Sequence, residues 1–204
     1  VLPMLEHMGL KVVDELPHSV TVGDDDTAIW IHDFGLTTRH GNDVDLKAVQ
    51  ENFEDTFLRV WQGDVESDGF NALVLGAGLA WREVVVLRAL CKYLRQAGIA
   101  FSQTYMEQTL INNPALARKI VQMFLVRFDP KGDDKKDGRA KRLRRGLIDG
   151  LDAVASADED RILRRFINAI DAMQRTNFYQ QTANGEFKSR LSFKFDSKAL
   201  DELP

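Results

Sequence analysis

The run from Asp68 to Gly98, DGFNALVLGAGLAWREVVVLRALCKYLRQAG, constrains the fold most, because its glycines and its apolar spacing point to different structures. An apolar run leading into Gly76-Ala77-Gly78 has the outline of a strand entering a glycine-rich turn that cradles a dinucleotide pyrophosphate. In that fingerprint the third glycine permits close packing of helix on strand, and here the position is Trp81. The carboxylate expected roughly twenty residues later, on the ribose, is also missing. Apolar residues instead recur three or four apart, at Phe70, Leu73, Val74, Ala77, Trp81, Val84, Leu87, Leu90 and Leu94, as on a broadly buried helix. Arg82, Glu83, Arg88, Lys92, Arg95 and Gln96 form its polar remainder, and Gly98 suits a C-terminal stop. The stretch is therefore predicted to be a helix, weakened by about 1 kcal/mol at each of Gly76 and Gly78 unless another backbone packs closely there.

A chain of 204 residues is long enough to bury a real core. Its 31 acidic and 27 basic residues leave a formal charge of -4, so no global field points to nucleic acid or to an anionic membrane. Cys91 is the single cysteine, which rules out an intrachain disulfide and suits a reducing cytoplasmic setting. Its place among apolar neighbours reads as a small buried hydrophobe rather than a catalytic thiol. No apolar run approaches the roughly twenty residues needed to span a bilayer. The chain opens at Val1 without an initiator Met or a helix cap, which is read as the start of a fragment.

The first third differs from the rest. Val1 to Met8 has helical spacing and stops at Gly9; LKVVDELPHSVTV and AIWIHDFGLTT are rich in β-branched and aromatic residues, with GDDDT between them as a hairpin turn. Asp43 is expected to start a helix with Leu46, Val49, Phe53, Phe57, Val60 and Trp61 on one stripe. The order helix, strand, strand, helix matches the middle of a split β-α-β fold whose first strand is missing. Beyond Gly98 the pattern is helical. FSQTYMEQTLINN ends before Pro114, Asn113 caps a helix that Asp129-Pro130 stops, and KGDDKKDG is a polar linker. RAKRLRRGLIDGLDAV is amphipathic, and Ser156-Ala-Asp-Glu159 is a capping box opening DRILRRFINAIDAMQR. After a turn at Gly185, the alternation of Leu191, Phe193 and Phe195 predicts a strand with one buried face, whose partner the chain does not evidently supply.

The chemical inventory is thin. His32-Asp33, with His40 in the next loop, is a candidate metal or acid-base pair, but the spacing fits no zinc pattern and structural support is the stronger reading. Asp24, Asp25 and Asp26 lack the ligand alternation of a calcium loop and read as a solvated turn. The basic run from Lys131 to Arg145 has no interleaved aromatics for base stacking, so it reads as a solvated helix or a subunit contact rather than a phosphate site. Trp61, Trp81, Phe53, Phe57 and Phe70 are expected in the core.

Several segments in order, VLPMLEHMGLKVVDE, AIWIHDFGL, WREVVVLRALCKYLRQAG, FSQTY, RFDP and RTNFYQ followed by LSFKFDS, closely resemble the large bacterial NAD-specific glutamate dehydrogenases. The resemblance covers nearly the whole chain and implies an α+β, helix-dominated fold. Residues 1–63 would be a partial ACT/ferredoxin-like α-β-β-α unit, 64–175 a helical connecting bundle, and 176–204 the truncated start of a catalytic domain with a C-terminal strand or hairpin. It further implies a cytoplasmic homo-oligomeric oxidoreductase that uses NAD, with neither NAD nor a metal expected on this stretch. The implied partners are the remainder of the parent chain and its subunits, with an amino-acid effector as a further candidate, and neither nucleic acid nor a membrane. The family's catalytic and nucleotide-binding segments lie beyond Pro204, so no catalytic, cofactor-binding or metal residue is assigned here.

Overall fold

The computed structural model describes residues 1–21, 28–39 and 44–200. A short helix α1 (Leu2–His7) ends at Gly9, whose φ of +85° is a left-handed stop, and leads into β1 (Leu10–Thr21) paired antiparallel with β2 (Ala28–Thr38). The register shifts between Val12 and Asp14, a bulge at which the Gly35 amide donates to Asp14 Oδ1 (3.0 Å). A Cβ on Gly35 would lie 2.1 Å from that oxygen, so a side chain there would have to displace the Asp14 carboxylate and break this hydrogen bond. Helix α2 (Leu46–Gln62) follows, so the expected helix, strand, strand, helix order is present. It starts later than Asp43: Asp45 is the cap, its carboxylate accepting from the amides of Lys47 and Ala48. The turn residues Asp24 to Asp26, His40, Asp43 and the final Asp201 to Pro204 lie outside the described residues.

The stretch from Asp68 is not one helix. A 3-10 turn (Gly69–Ala72) and a short α3 (Leu73–Ala77) precede a break, after which α4 (Trp81–Gln96) runs to the predicted stop at Gly98. The break falls at Gly78, which takes φ +61° as the left-handed cap of α3. The chain then becomes extended at Ala80, whose amide donates to Glu83 and starts a new helix. A glycine counted as a helix weakness thus supplies the conformation that ends one helix and re-aims the next.

Helices α5 (Gln103–Asn112), α6 (Pro114–Phe128) and α8 (Ala157–Ala172) pack against α4, and α7 (Lys136–Leu151) lies against α6 and α8. Asn113 and Pro114 mark the α5–α6 junction as expected, although the Asn113 amide group donates to Thr109 O and Glu159 Oε2 rather than capping its own helix. Only half of the expected capping box forms: Ser156 Oγ accepts from the Glu159 amide (3.3 Å). The Glu159 carboxylate turns away to accept from Asn112 and Asn113, tying the start of α8 to the α5–α6 corner. The linker is shorter than predicted, because α7 already includes Lys136, Asp137 and Gly138.

The C-terminal strand has a partner within the chain. α8 stops at Ala172, and β3 (Met173–Thr176), predicted as the end of that helix, pairs antiparallel with β4 (Phe193–Phe195). Leu191, Phe193 and Phe195 are half-buried and pack on the helical core, while Ser192 and Lys194 face outward. That core centres on Phe70, Leu87, Leu90, Ile120, Phe124, Leu163 and Phe166, all fully buried. Of the aromatic residues expected inside, Phe70 is buried and Phe53, Phe57 and Trp81 are half-buried, but Trp61 is 60% exposed. It sits in the last turn of α2 and stacks on Phe57, while Val60, one position earlier, is the residue of that turn that faces inward. No helix among the described residues is long and apolar enough to cross a membrane.

Candidate functional site

A cleft of about 720 Å³ opens where α1 and the base of the hairpin face the 3-10 turn, α3 and α5. Glu6, His7, Arg39, Asp68, Gln103 and Glu107 line it. His7 Nδ1 lies 2.9 Å from Ser67 Oγ, bridging the N-terminal unit to the body across the mouth.

The floor is built on Arg88. Counted among polar surface residues from the sequence, it is 1% exposed and is one of the largest fully buried side chains. Nε and Nη2 donate to the two oxygens of Asp68 (2.7 and 2.8 Å), and Nη2 also donates to Asn71 Oδ1 (2.7 Å). Such forked pairing fixes direction as well as charge. Asp68 in turn caps the 3-10 turn by accepting from the Phe70 amide, and Asn71 donates to Glu66 O. Glu66 takes a hydrogen bond from Lys92, so α4 is stitched to the loop by two cations in successive turns. A clue was present in the sequence: position 88 falls on the same helical face as Val84, Leu87 and Cys91.

Beside Asp68 stands Glu107, 8% exposed and close against Gly69, where a Cβ would lie 2.6 Å from Glu107 Oε2. Burial raises the Glu107 carboxyl above its ordinary range; the hydrogen bond from Gln103 opposes this, and the Asp68 charge adds to it. A carboxyl whose folded-state pKa is raised stabilises the fold while protonated, and that contribution disappears as pH rises through the raised value. Glu107→Gln is therefore expected to remove a decline in stability that the native chain shows as pH rises from the ordinary glutamate range upward, measured by urea unfolding across pH. Parallel pH profiles for the two proteins would contradict it.

Cys91 is buried, and burial, followed by the Glu107 charge, pushes its thiol up to about 12. Alkylation by iodoacetamide at pH 8 is expected to be negligible in the native chain and rapid after unfolding. Fast native labelling would show instead that α4 opens.

His32 and Asp33 lie on the exposed hairpin; His32 Nδ1 is 2.6 Å from Glu15 Oε1, a pairing across the two strands rather than within a pocket. No group of three or more His, Cys, Asp or Glu among the described residues is arranged to hold a metal. The basic run is largely the outer face of α7, with Arg139 paired to Asp133 and Arg144 to Asp171. The residues at Gly76–Ala77–Gly78 do not fit a dinucleotide: a helix rather than a strand leads into them, and the open side of Gly78 faces the Arg118 guanidinium. Arg82 lies over the rings of Phe178 and Phe187 (4.7 and 4.0 Å) and donates to Phe178 O, joining α4 to the C-terminal segment.

Three families match the chain in succession: "Glutamate dehydrogenase, ACT3 domain" over residues 1–49, "Glutamate dehydrogenase, helical motif 3" over 65–130, and "Bacterial NAD-glutamate dehydrogenase, catalytic domain" over 146–204. The three matches follow one another along an α+β, helix-dominated scaffold, in the manner of a stretch cut from a multidomain protein. NAD-specific glutamate dehydrogenases from Halomonas elongata, Pseudomonas aeruginosa and Mycobacterium tuberculosis are 38%, 41% and 38% identical over the whole chain. The family recognised from the residues is thus the one the chain matches, the large bacterial NAD-specific glutamate dehydrogenases. The chain spans only 12% to 13% of the length of these relatives.

Proposed function

We propose that this stretch is a non-catalytic structural and regulatory part of a cytoplasmic, homo-oligomeric NAD-dependent glutamate dehydrogenase. The parent chain oxidatively deaminates L-glutamate to 2-oxoglutarate and ammonium. Hydride passes from Cα to NAD, and that chemistry belongs to the cofactor, with protein groups orienting the substrate. Residues 1–63 act as the ACT-like unit, 64–175 as the helical connector, and 176–204 as the beginning of the catalytic domain. The observation that carries the reading is the full-length match of this chain to a small share of much longer dehydrogenases. The contribution of the stretch is position: Arg88 and Asp68 fix the loop beneath the ACT-like unit, and Arg82 fixes the segment entering the catalytic domain. The purified 204-residue chain is expected to give no NADH from glutamate and NAD, and clear turnover would refute the assignment.

The cleft favours a second reading, in which the ACT-like unit takes an amino-acid effector. Arg39 would meet its carboxylate and Glu6 its ammonium group, both lining the same opening. Titration calorimetry with the common amino acids tests this, and silence across all of them leaves only the scaffold role.

A further inference from the structure

The outer sides of α6 and α7 enclose a groove of about 380 Å³. Lys119 and Val126 of α6 line it together with Arg139, Arg142, Leu143 and Gly146 of α7, so apolar side chains and cations share the lining. Arg142 is exposed, and its side chain has no ion pair or hydrogen bond among the described residues. Arg139 pairs with the exposed Asp133, a surface contact that another carboxylate can replace. Gly146 is the second clue. A glycine inside a helix weakens it relative to alanine unless something packs against the missing side chain. At Gly150, one turn further on, Leu116 of α6 does so: a Cβ there would lie 2.8 Å from Leu116 Cδ2. At Gly146 a Cβ would meet nothing within 4 Å, and the notch opens into the groove. Lys119 Nζ donates to the Gly146 carbonyl at 3.4 Å, a bond to the backbone that a Cβ would not obstruct.

A complementary stripe lies on α2. Glu51, Glu54 and Leu58 are exposed on one face of it, Leu58 to 50%, at intervals of three and then four residues. Arg139, Arg142 and Gly146 repeat those intervals on α7. With the two helices side by side in the same direction, as in a parallel coiled coil, each carboxylate falls opposite an arginine and Leu58 falls opposite the notch. Among the described residues the Glu51 side chain has no partner, and that of Glu54 has only Gln50. Within one chain the stripes are apart, because α2 packs on α1, α3 and α4 whereas α7 packs on α6 and α8. We infer that the α6–α7 groove receives α2 of a second copy of this chain, with Leu58 in the Gly146 notch and Glu51 and Glu54 on Arg139 and Arg142. The contact gives the homo-oligomer proposed above a defined surface, and it rests on that part of the proposal.

Sedimentation equilibrium of the 204-residue chain tests it. Association is expected at high micromolar concentration and weakens as salt screens the pairs. Arg142→Glu and Glu54→Arg, each alone, are expected to weaken it at least about tenfold, because like charges then face each other. An equimolar mixture of the two variants is expected to associate as the native chain does, since each reversed residue meets its opposite in the other variant. That recovery also shows that both variants are folded. Gly146→Ala, which fills the notch, is expected to weaken association while raising the urea midpoint of unfolding. A chain that stays monomeric, association that survives either reversal or the alanine, or a mixture that does not associate overturns the inference. The readout uses neither glutamate nor NAD, so turnover by the 204-residue chain would refute its non-catalytic role and leave this contact standing.

Discussion

Replacing Arg88 with alanine is expected to lower the unfolding free energy by about 3–5 kcal/mol, among the largest losses available to a single substitution in this chain. The side chain is 2% exposed and its main partner, Asp68, is 17% exposed, so the deletion strands a shielded carboxylate and leaves Asn71 Oδ1 without its donor. Water cannot readily replace the guanidinium, because Asn71 is itself 1% exposed. A buried ion pair is costly to break but not always costly to replace. Accordingly, Arg88→Met combined with Asp68→Ser, which keeps a cap acceptor for Phe70, is expected to recover most of the loss. Urea unfolding of the two single variants and the double variant measures the coupling directly. If Arg88→Ala costs less than about 1 kcal/mol, the network is no more than a surface pair in effect, and the positioning role assigned to it fails.

Phe124→Ala is the second large expected effect, a loss of about 3–5 kcal/mol. Phe124 is fully buried in α6 and meets Phe128 and Phe178 at ring-centroid distances of 5.3 Å each, and Phe193 at 6.2 Å. The contacts with Phe178 and Phe193 are edge-to-face, which adds an orientation-dependent attraction to simple burial. Because Phe193 belongs to β4 and Phe178 follows β3 closely, the cavity should loosen that ribbon before the helices melt. Hydrogen exchange at Met173–Thr176 is therefore expected to rise out of proportion to exchange in α4. Uniform acceleration across the chain would mean that the ribbon and the helical body open as one unit.

Much of the architecture was legible because it depends on local rules. The stops at Gly9 and Gly98 and the turn at Gly185 use the freedom of glycine to take a positive φ, and the start at Pro114 uses the fixed φ of proline. The alternation at Leu191, Phe193 and Phe195 identified a buried strand face, since period two has no helical equivalent. The strand's partner was hidden. Met173 continues the apolar helical pattern of Ala169 and Ile170, so periodicity alone extends α8 through a residue whose backbone is in fact extended to pair with Phe195. Trp61 was misplaced for a related reason: an apolar stripe shows which face of a helix is greasy, not how far along its length another element reaches.

The sequence by itself determined the family likeness, the dominance of helices and the sites of most chain reversals, because each resides in residue identity and short-range spacing. Only the tertiary structure decided that Gly78 divides the central stretch into two helices and that Arg88 lies in the interior. It also placed Glu159 across the α5–α6 corner instead of closing its own capping box. In each case the outcome turned on a partner far away along the chain: Arg118 beside Gly78, Asp68 for Arg88, and Asn112 for Glu159. A polar side chain has several nearly equivalent uses within its own helix, each worth about 1 kcal/mol or less, and the long-range partner that also settles its desolvation selects among them.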